Sequence, residues 1–328
     1  MLRYVIRRLL TMIPILLGVT IIIFTMMYFT PGDPARMILG DEASEETVQE
    51  LREELGLTGS FFERYWDYLS GILRGDLGTS YTTRLPVTEE IAARFPVTFR
   101  IACLVCLFSI CVGIPAGIIS AIRQYSILDY VVTIGAMLGI CMPNFWLALL
   151  LILFFSVFLG ILPPSGLYGW TSYIMPVLSI SAATLATITR MTRSSMLEVI
   201  RADYIRTARA KGQSERLVIV RHALKNALIP IITVIGFQFA NGLSGAVVNE
   251  QIFAIPGIGK MMVDAIRARN YPLVQGGTLV IALTYSILNL SIDLIYAFVD
   301  PRIKTQYARA KKTRKHVKPA EQLPQEVA

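Results

Sequence analysis

Six apolar stretches divide this chain: Leu9–Phe29, Val97–Ile122, Tyr130–Ile161, Tyr173–Thr192, Ala227–Val248 and Gly276–Val299. Each is near or above the roughly 20 residues that a helix needs to cross a bilayer core. The whole sequence is 54% hydrophobic and only 16% charged, far more apolar than a soluble domain of 328 residues. An all-α membrane protein with six transmembrane helices is therefore expected, multi-pass in a cell (inner or plasma) membrane.

The net charge of +8 raises nucleic acid as a partner, but its distribution points to the lipid bilayer instead. With the N-terminus, Arg123, the segment 193–230 and the tail placed on one side, that side and its abutting span ends hold 21 of the 31 Lys and Arg. Residues 30–100 and 250–275 hold the other 10, together with 15 of the 23 acids. This is the positive-inside bias, and it predicts that both termini are cytosolic. No nucleic acid is expected. Cys103, Cys106, Cys111 and Cys141 all fall inside spans, so no disulfide framework is read, and Cys103-x-x-Cys106 reads as small apolar filler.

Arg3, Arg7 and Arg8 ahead of an apolar run imitate a signal peptide, but the run is long and no small-residue cleavage site follows. It is read as a retained first span, kinked at Pro14. Residues 30–96 form a polar insert, predicted to lie outside. Ser44 starts one helix, which Gly56 ends. Ser60 caps a second helix with Phe62, Tyr65, Trp66, Leu69, Ile72 and Leu73 on one face, a packing surface or interfacial belt. A short third helix covers Val87–Arg94. Met142-Pro143-Asn144 near the middle of the third apolar stretch predicts a kinked or tilted crossing. The fourth carries Ser179, Ser181, Thr184, Thr187 and Thr189, suited to close packing or to a wet path.

The longest basic, non-spanning segment is Arg193–Pro230. Leu197, Ile200, Tyr204 and Ala208 recur at helical spacing, and Arg201, Arg206, Arg209 and Lys211 fall largely off that stripe. Gly212 supplies the left-handed residue that closes one helix, Ser214 caps the next, and Pro230 ends it. Such a helix–turn–helix can lie on anionic lipid or insert into a cytosolic partner.

Several strings resemble one family. Asp203-Tyr204-Ile205-Arg206-Thr207-Ala208-Arg209-Ala210-Lys211-Gly212, followed by His222-Ala223-Leu224-Lys225-Asn226-Ala227-Leu228-Ile229-Pro230, is similar to the cytosolic loop of ABC-importer permeases. Thr30-Pro31-Gly32-Asp33-Pro34, Gly75-Asp76-Leu77-Gly78-Thr79-Ser80 and the string from Asn249 to Lys260 resemble its dipeptide/oligopeptide/nickel branch in the same order. The general family pattern has Glu-Ala-Ala where Arg206-Thr207-Ala208 stands, and a shorter distance from the glycine to the proline. The resemblance implies a type I ABC importer transmembrane domain at 97–300, preceded by the first helix and its external insert (1–96) and followed by a basic tail (301–328). It implies a coupling loop at 193–226 that docks in an ATPase groove, with Glu198, Asp203, Tyr204, Arg206, Thr207, Ala208, Ala210, Lys211 and Gly212 as its functional residues. It further implies a second homologous permease subunit, two cytosolic ABC ATPases and an external peptide-binding protein. Dipeptides or oligopeptides are the expected cargo, with nickel or a metal chelate as the alternative.

Polar residues at membrane depth are costly unless they bond to helices or water. Asn144, Gln238, Asn241, Asn289 and Asp293 are therefore the candidate translocation pathway. Asp293 is read as the one buried acid, close enough to the inner face to pair with an arginine. An ion-coupled carrier or channel is the rival from another class, but carriers usually need ionisable groups near the bilayer centre.

Catalytic chemistry is not found. Gly257-Ile258-Gly259-Lys260-Met261 lacks the spacing and hydroxyl of a Walker A loop, so ATP and its Mg are expected on partner subunits and no cofactor on this chain. Gly242-Leu243-Ser244-Gly245 resembles an intramembrane serine-protease motif. The candidate base His222 lies 22 residues before Ser244, roughly 33 Å away along a helix, too far for a nucleophile–base pair. No His/Cys/Asp/Glu set has metal-ligand spacing.

Overall fold

A computed structural model describes residues 2–299; the tail expected from Asp300 onward lies outside the described residues. Helix α1 (Leu2–Phe29) runs through Pro14. The insert holds α2 (Pro34–Leu39), α3 (Glu45–Glu54) and α4 (Phe61–Leu73). The sequence reading missed α2. Asp33 caps it by accepting from Ala35 N–H, and Pro34 at the first position has no N–H to lose there. Ser44 and Ser60 cap α3 and α4 as read, the latter in a reciprocal capping box with Glu63.

The bundle continues with α5 (Val87–Ile122), α6 (Ile127–Cys141), α7 (Asn144–Leu151), α8 (Ile174–Ile200), the short α9 (Asp203–Ala210) and α10 (Glu215–Leu217), then α11 (Lys225–Ile252), α12 (Ile258–Arg267) and α13 (Tyr271–Val299). Among the described residues five helices are individually long and apolar enough to cross a membrane, and α6 with α7 and the π-helical turn Ile152–Phe158 makes a sixth if this pair, bent by 104°, is one broken span. The break has a local cause. Pro143 lacks an N–H, and it drives Met142 to an extended ψ of 124°. That is a sharper change of direction than a kink or tilt.

Three boundaries differ from the sequence reading, two of them because proline did not end a helix. The short helix at Val87 and the second span are one 36-residue α5, running through Pro96 and Pro115. The segment after Glu215 passes through a π-helical stretch (Val218–Leu224) into α11 and on through Pro230. One lost backbone bond is tolerated where the neighbouring turns and packed helices hold the axis. Likewise α8 extends eight residues past Thr192, so Leu197 and Ile200 belong to it, whereas Tyr204 and Ala208 belong to α9; the proposed stripe spans two helices.

Helix α8 is the centre of the bundle, packed by α5, α6, α7 and α11, while α1 lies on α13. Ser179, Ser181, Thr184 and Thr189 are buried in these contacts. Of the glycines that face α8 the tightest is Gly117 of α5, where a Cβ would stand 2.6 Å from Thr189 O and 2.6 Å from Thr192 Cβ; only glycine fits.

The insert, α12 and residues 253–270 gather at one end of the bundle, the insert end. The 123–126 turn and the segment 201–224 gather at the other, the loop end. Ile101, Val105, Met175, Ile180, Phe253 and Ile255 form a core toward the insert end.

Candidate coupling site at the loop end

The site begins where α8 stops. Arg201 keeps a helical backbone, Ala202 turns extended at ψ 148°, and α9 then packs against the Val218–Leu224 stretch. Its inner stripe, Ile205 and Ala208, is buried with Ala121, Met196, Val218, Ala223, Ala227 and Ile231 in one core cluster. Fixing α9 by so few side chains is enough because both of its ends are also held. Asn226 Nδ2 donates to Tyr204 Oη at 3.0 Å. On the far side Gly212 takes φ +77°, the left-handed turn expected of it. Arg209 closes that turn on Glu215 through Nε–H to Oε2 at 3.1 Å and Nη2–H to Oε1 at 2.6 Å. Two parallel charge-assisted bonds fix direction as well as distance. Ser214 occupies the cap position with an extended backbone, but its side chain makes no capping bond, contrary to the sequence reading.

Of the loop residues singled out from sequence, Asp203, Tyr204, Arg206, Thr207, Ala210, Lys211 and Gly212 are exposed. Ala208 is not; its methyl faces the core and seats the helix. Glu198 is exposed on the last turns of α8, off α9 altogether.

At the same end of the bundle lies a charged cluster that sequence reasoning did not assemble. Asp129 sits in the first turn of α6, capped by Ser126, and is 3% exposed. Its Oδ1 accepts from Arg193 Nε at 2.7 Å and its Oδ2 from Arg193 Nη2 at 2.8 Å and from Tyr125 N–H at 2.9 Å. Ser120 donates to the same carboxylate, and Arg201 Nη2 reaches Gln124 Oε1 at 3.1 Å. The α5–α6 turn is thereby tied at two points to the part of α8 that leads into α9. Asp129 and Arg193 are 64 residues apart, and no local pattern announces the pair.

The candidate pathway residues are scattered. Asn144 is half-buried at the start of α7, Gln238 half-buried and Asn241 exposed on one face of α11, and Asn289 half-buried on α13. Among the described residues no hydrogen bond joins any two of them. Asp293 is in an ion pair with Arg8 at 3.0 Å, which fastens α13 to α1 near the loop end. It is not the buried acid: its side chain is 30% exposed, whereas Glu90, Asp129 and Glu250 are almost wholly buried.

Helix α11 runs past the fifth apolar stretch, through Asn249-Glu250-Gln251, to Ile252. The Glu250 carboxylate lies at the N-terminus of α12, accepting from Thr98 Oγ1 at 2.6 Å and from Lys260 N–H at 3.0 Å. A Cβ on Gly257 would fall 2.2 Å from its Oε1. The turn that superficially resembles a phosphate loop is filled by the protein's own carboxylate, so its residues do not fit a nucleotide. Among the described residues no group of three or more His, Cys, Asp or Glu could hold a metal ion.

The described residues thus form a helical bundle of five or six apolar crossings with the buttressed α9 packed at one end. Residues 113–305 match the family model of the binding-protein-dependent transport system inner membrane component, and residues 1–102 match its N-terminal membrane component. The chain belongs to this family of ABC importer permeases. The dipeptide transport system permease protein DppB of Alkalihalophilus pseudofirmus is 43% identical over 93% of this chain and 100% of its own length. The glutathione transport system permease protein GsiC of Escherichia coli (strain K12) is 41% identical over 93% of this chain and 99% of its own. Among solved structures, a chain of the inward-facing MetNI methionine ABC transporter aligns with a TM-score of 0.54 at 17% identity, covering 65% of this chain and 97% of that one; this likeness concerns the fold.

Proposed function

We propose that this permease carries short peptides across the cell membrane in an ATP-driven importer, with its loop end and both termini in the cytosol. One observation carries the reading at this site: α9 presents Arg206, Thr207 and Tyr204 outward from a seat made of Ile205 and Ala208. A helix buried on one side and bare on the other, clamped at both ends, suits transmission of a push better than passive rest on lipid. The push would come from a separate ATPase holding ATP and Mg, two copies per complex. A second homologous permease would complete the pathway, and an external binding protein would deliver cargo. Peptide is favoured over nickel because the relatives named above are a dipeptide and a glutathione permease.

In the mechanism this supports, the ATPase dimer closes and displaces α9. The Arg209–Glu215 clasp and the Asp129–Arg193 cluster pass the displacement to α11, α8 and the α5–α6 turn, and the cavity between the two permeases opens outward. A ligand or partner shifts such an equilibrium only by its differential affinity for the two states, so α9 must fit the closed and open ATPase differently.

Gly212→Leu tests this. No atom lies within 4 Å of the position its Cβ would take, so the variant meets only the backbone cost of a left-handed leucine, about 1–2 kcal/mol, at a turn exposed to solvent. Membrane insertion should be normal, and stimulation of ATP hydrolysis by peptide-loaded binding protein in the reconstituted complex should be lost. Unchanged stimulation would remove this turn from the coupling path.

A further inference from the structure

Helix α4 is amphipathic in an unusual proportion. At about 100° per residue, Tyr68, Phe61, Ile72, Tyr65, Leu69, Phe62, Leu73 and Trp66 follow one another around an apolar arc. Ser70, Glu63, Asp67 and Arg64 occupy the remainder. The protein uses only half of that arc. Phe61, Tyr65 and Tyr68 close on Phe24 of α1 with ring centroids 5.3, 5.3 and 5.8 Å away, and Tyr65 Oη lies 3.2 Å from Thr20 Oγ1. Phe62, Trp66 and Leu73, which the sequence reading put on the same packing face, are 79%, 67% and 80% exposed.

The depth of this contact is fixed by the span it touches. Thr20 and Phe24 belong to the apolar crossing Arg8–Phe29. Their neighbours Ile23 and Met27 pack on the core cluster that holds Leu273 and Val274 in the first turn of α13, itself a crossing from Tyr271. Helix α4 therefore crosses α1 within the insert-end boundary of the bilayer-spanning bundle, not above it. The bare half of its arc is also continuous with the exposed surface of α1. Phe29, 72% exposed, stacks on Phe61 at 6.5 Å, which meets Phe62 edge-on at 5.4 Å.

We infer that α4 is an interfacial membrane helix, with Phe62, Trp66, Leu69 and Leu73 seated among the lipid acyl chains of the insert-end leaflet and Glu63, Asp67 and Ser70 turned to water. The side-chain types suit the boundary: aromatic residues favour the headgroup level, and an apolar face at that depth enters the hydrocarbon edge while charges stay wet. Arg64 bridges the two zones, its guanidinium over the Tyr28 ring at 5.1 Å from the centroid. Through α4 the insert is thus held to the bilayer as well as to α1. The inference rests on the membrane assignment alone, not on the peptide or the ATPase.

Trp66 is its own reporter, since the chain has only two other tryptophans, Trp146 and Trp170. The full chain carrying Trp146→Phe and Trp170→Phe is reconstituted into phosphatidylcholine vesicles, with and without lipid brominated on the upper acyl chain. Trp66 emission should fall to about half in brominated lipid and resist aqueous iodide. Strong iodide quenching with no effect of bromine would mean that the face is open to water. Protection from both would mean that protein, such as a second permease, covers it. Either result overturns the inference. Should the double variant fail to fold, the same two quenchers applied to the wild-type chain and to Trp66→Phe give the Trp66 contribution by difference. The readout needs neither nucleotide nor substrate, so its failure leaves the importer reading untouched.

Discussion

Glu250 shows how one side chain can organise an end of the bundle. Burial pushes its carboxyl above the ordinary glutamate range, and the hydrogen bonds from Thr98 and from the Lys260 and Gly259 amides only partly offset that. The folded state therefore keeps the proton to higher pH than the unfolded chain. Between the unfolded value of 4.5 and the raised folded value the native state binds more protons, so this group's contribution to stability falls as pH rises across that window. A thermal unfolding series in detergent should show that decline in the wild type and lose it in Glu250→Gln. Glu250→Ala should cost about 3 kcal/mol by orphaning the Thr98 hydroxyl and the α12 amides. Asp129 makes the complementary case. Removing it leaves the half-buried Arg193 without its carboxylate, so Asp129→Ala should destabilise by about 1–3 kcal/mol, and Asp129→Ala combined with Arg193→Met by less than the sum of the single changes. Additive losses in that cycle would contradict direct coupling of the pair.

Among the elements, what the sequence made legible was local. The caps at Ser44 and Ser60 and the turn at Gly212 are written in neighbouring residues, and they fold as read; the apolar runs were legible as runs but not in their bounds. The misplacements share one cause, that tertiary contacts decide what a local signal does. Pro143 breaks a helix while Pro96, Pro115 and Pro230 do not, and nothing adjacent to them in sequence separates the two outcomes. The arc on α4 was legible, but its division between α1 and the outside depends on where Phe24 sits. Close approach of helices is likewise invisible until they are paired. The α5–α8 contact at Gly117 is the sharpest example, and Gly117→Val should drive the pair apart. We expect poor yield of folded protein and a strongly lowered unfolding temperature, whereas Gly18→Val, with no atom within 4 Å of the added Cβ, should be nearly neutral. Equal behaviour of the two would mean that α5 and α8 are not packed at this distance.

For the molecule as a whole, membership of the permease family was readable from strings that now have structural reasons. The Gly212 string is a hinged seat for α9, and the Glu250-to-Lys260 string is a carboxylate-capped helix start. The cluster joining Ser120, Asp129 and Arg193 was not readable, because it unites three helices through residues 9 to 73 positions apart. It ties the α5–α6 turn to the part of α8 that leads into α9, which is where the proposed account puts its central claim, that this chain receives work at one exposed helix face and passes it on. The most direct test is site-specific photocrosslinking in native membranes, with a benzophenone amino acid at Thr207 on the outer face of α9 or at Ile205 on its buried face. The account predicts that Thr207 captures a separate ATP-binding polypeptide while Ile205 yields only links within this chain. Capture of lipid alone from Thr207, or of a protein from the opposite side of the membrane, would contradict it.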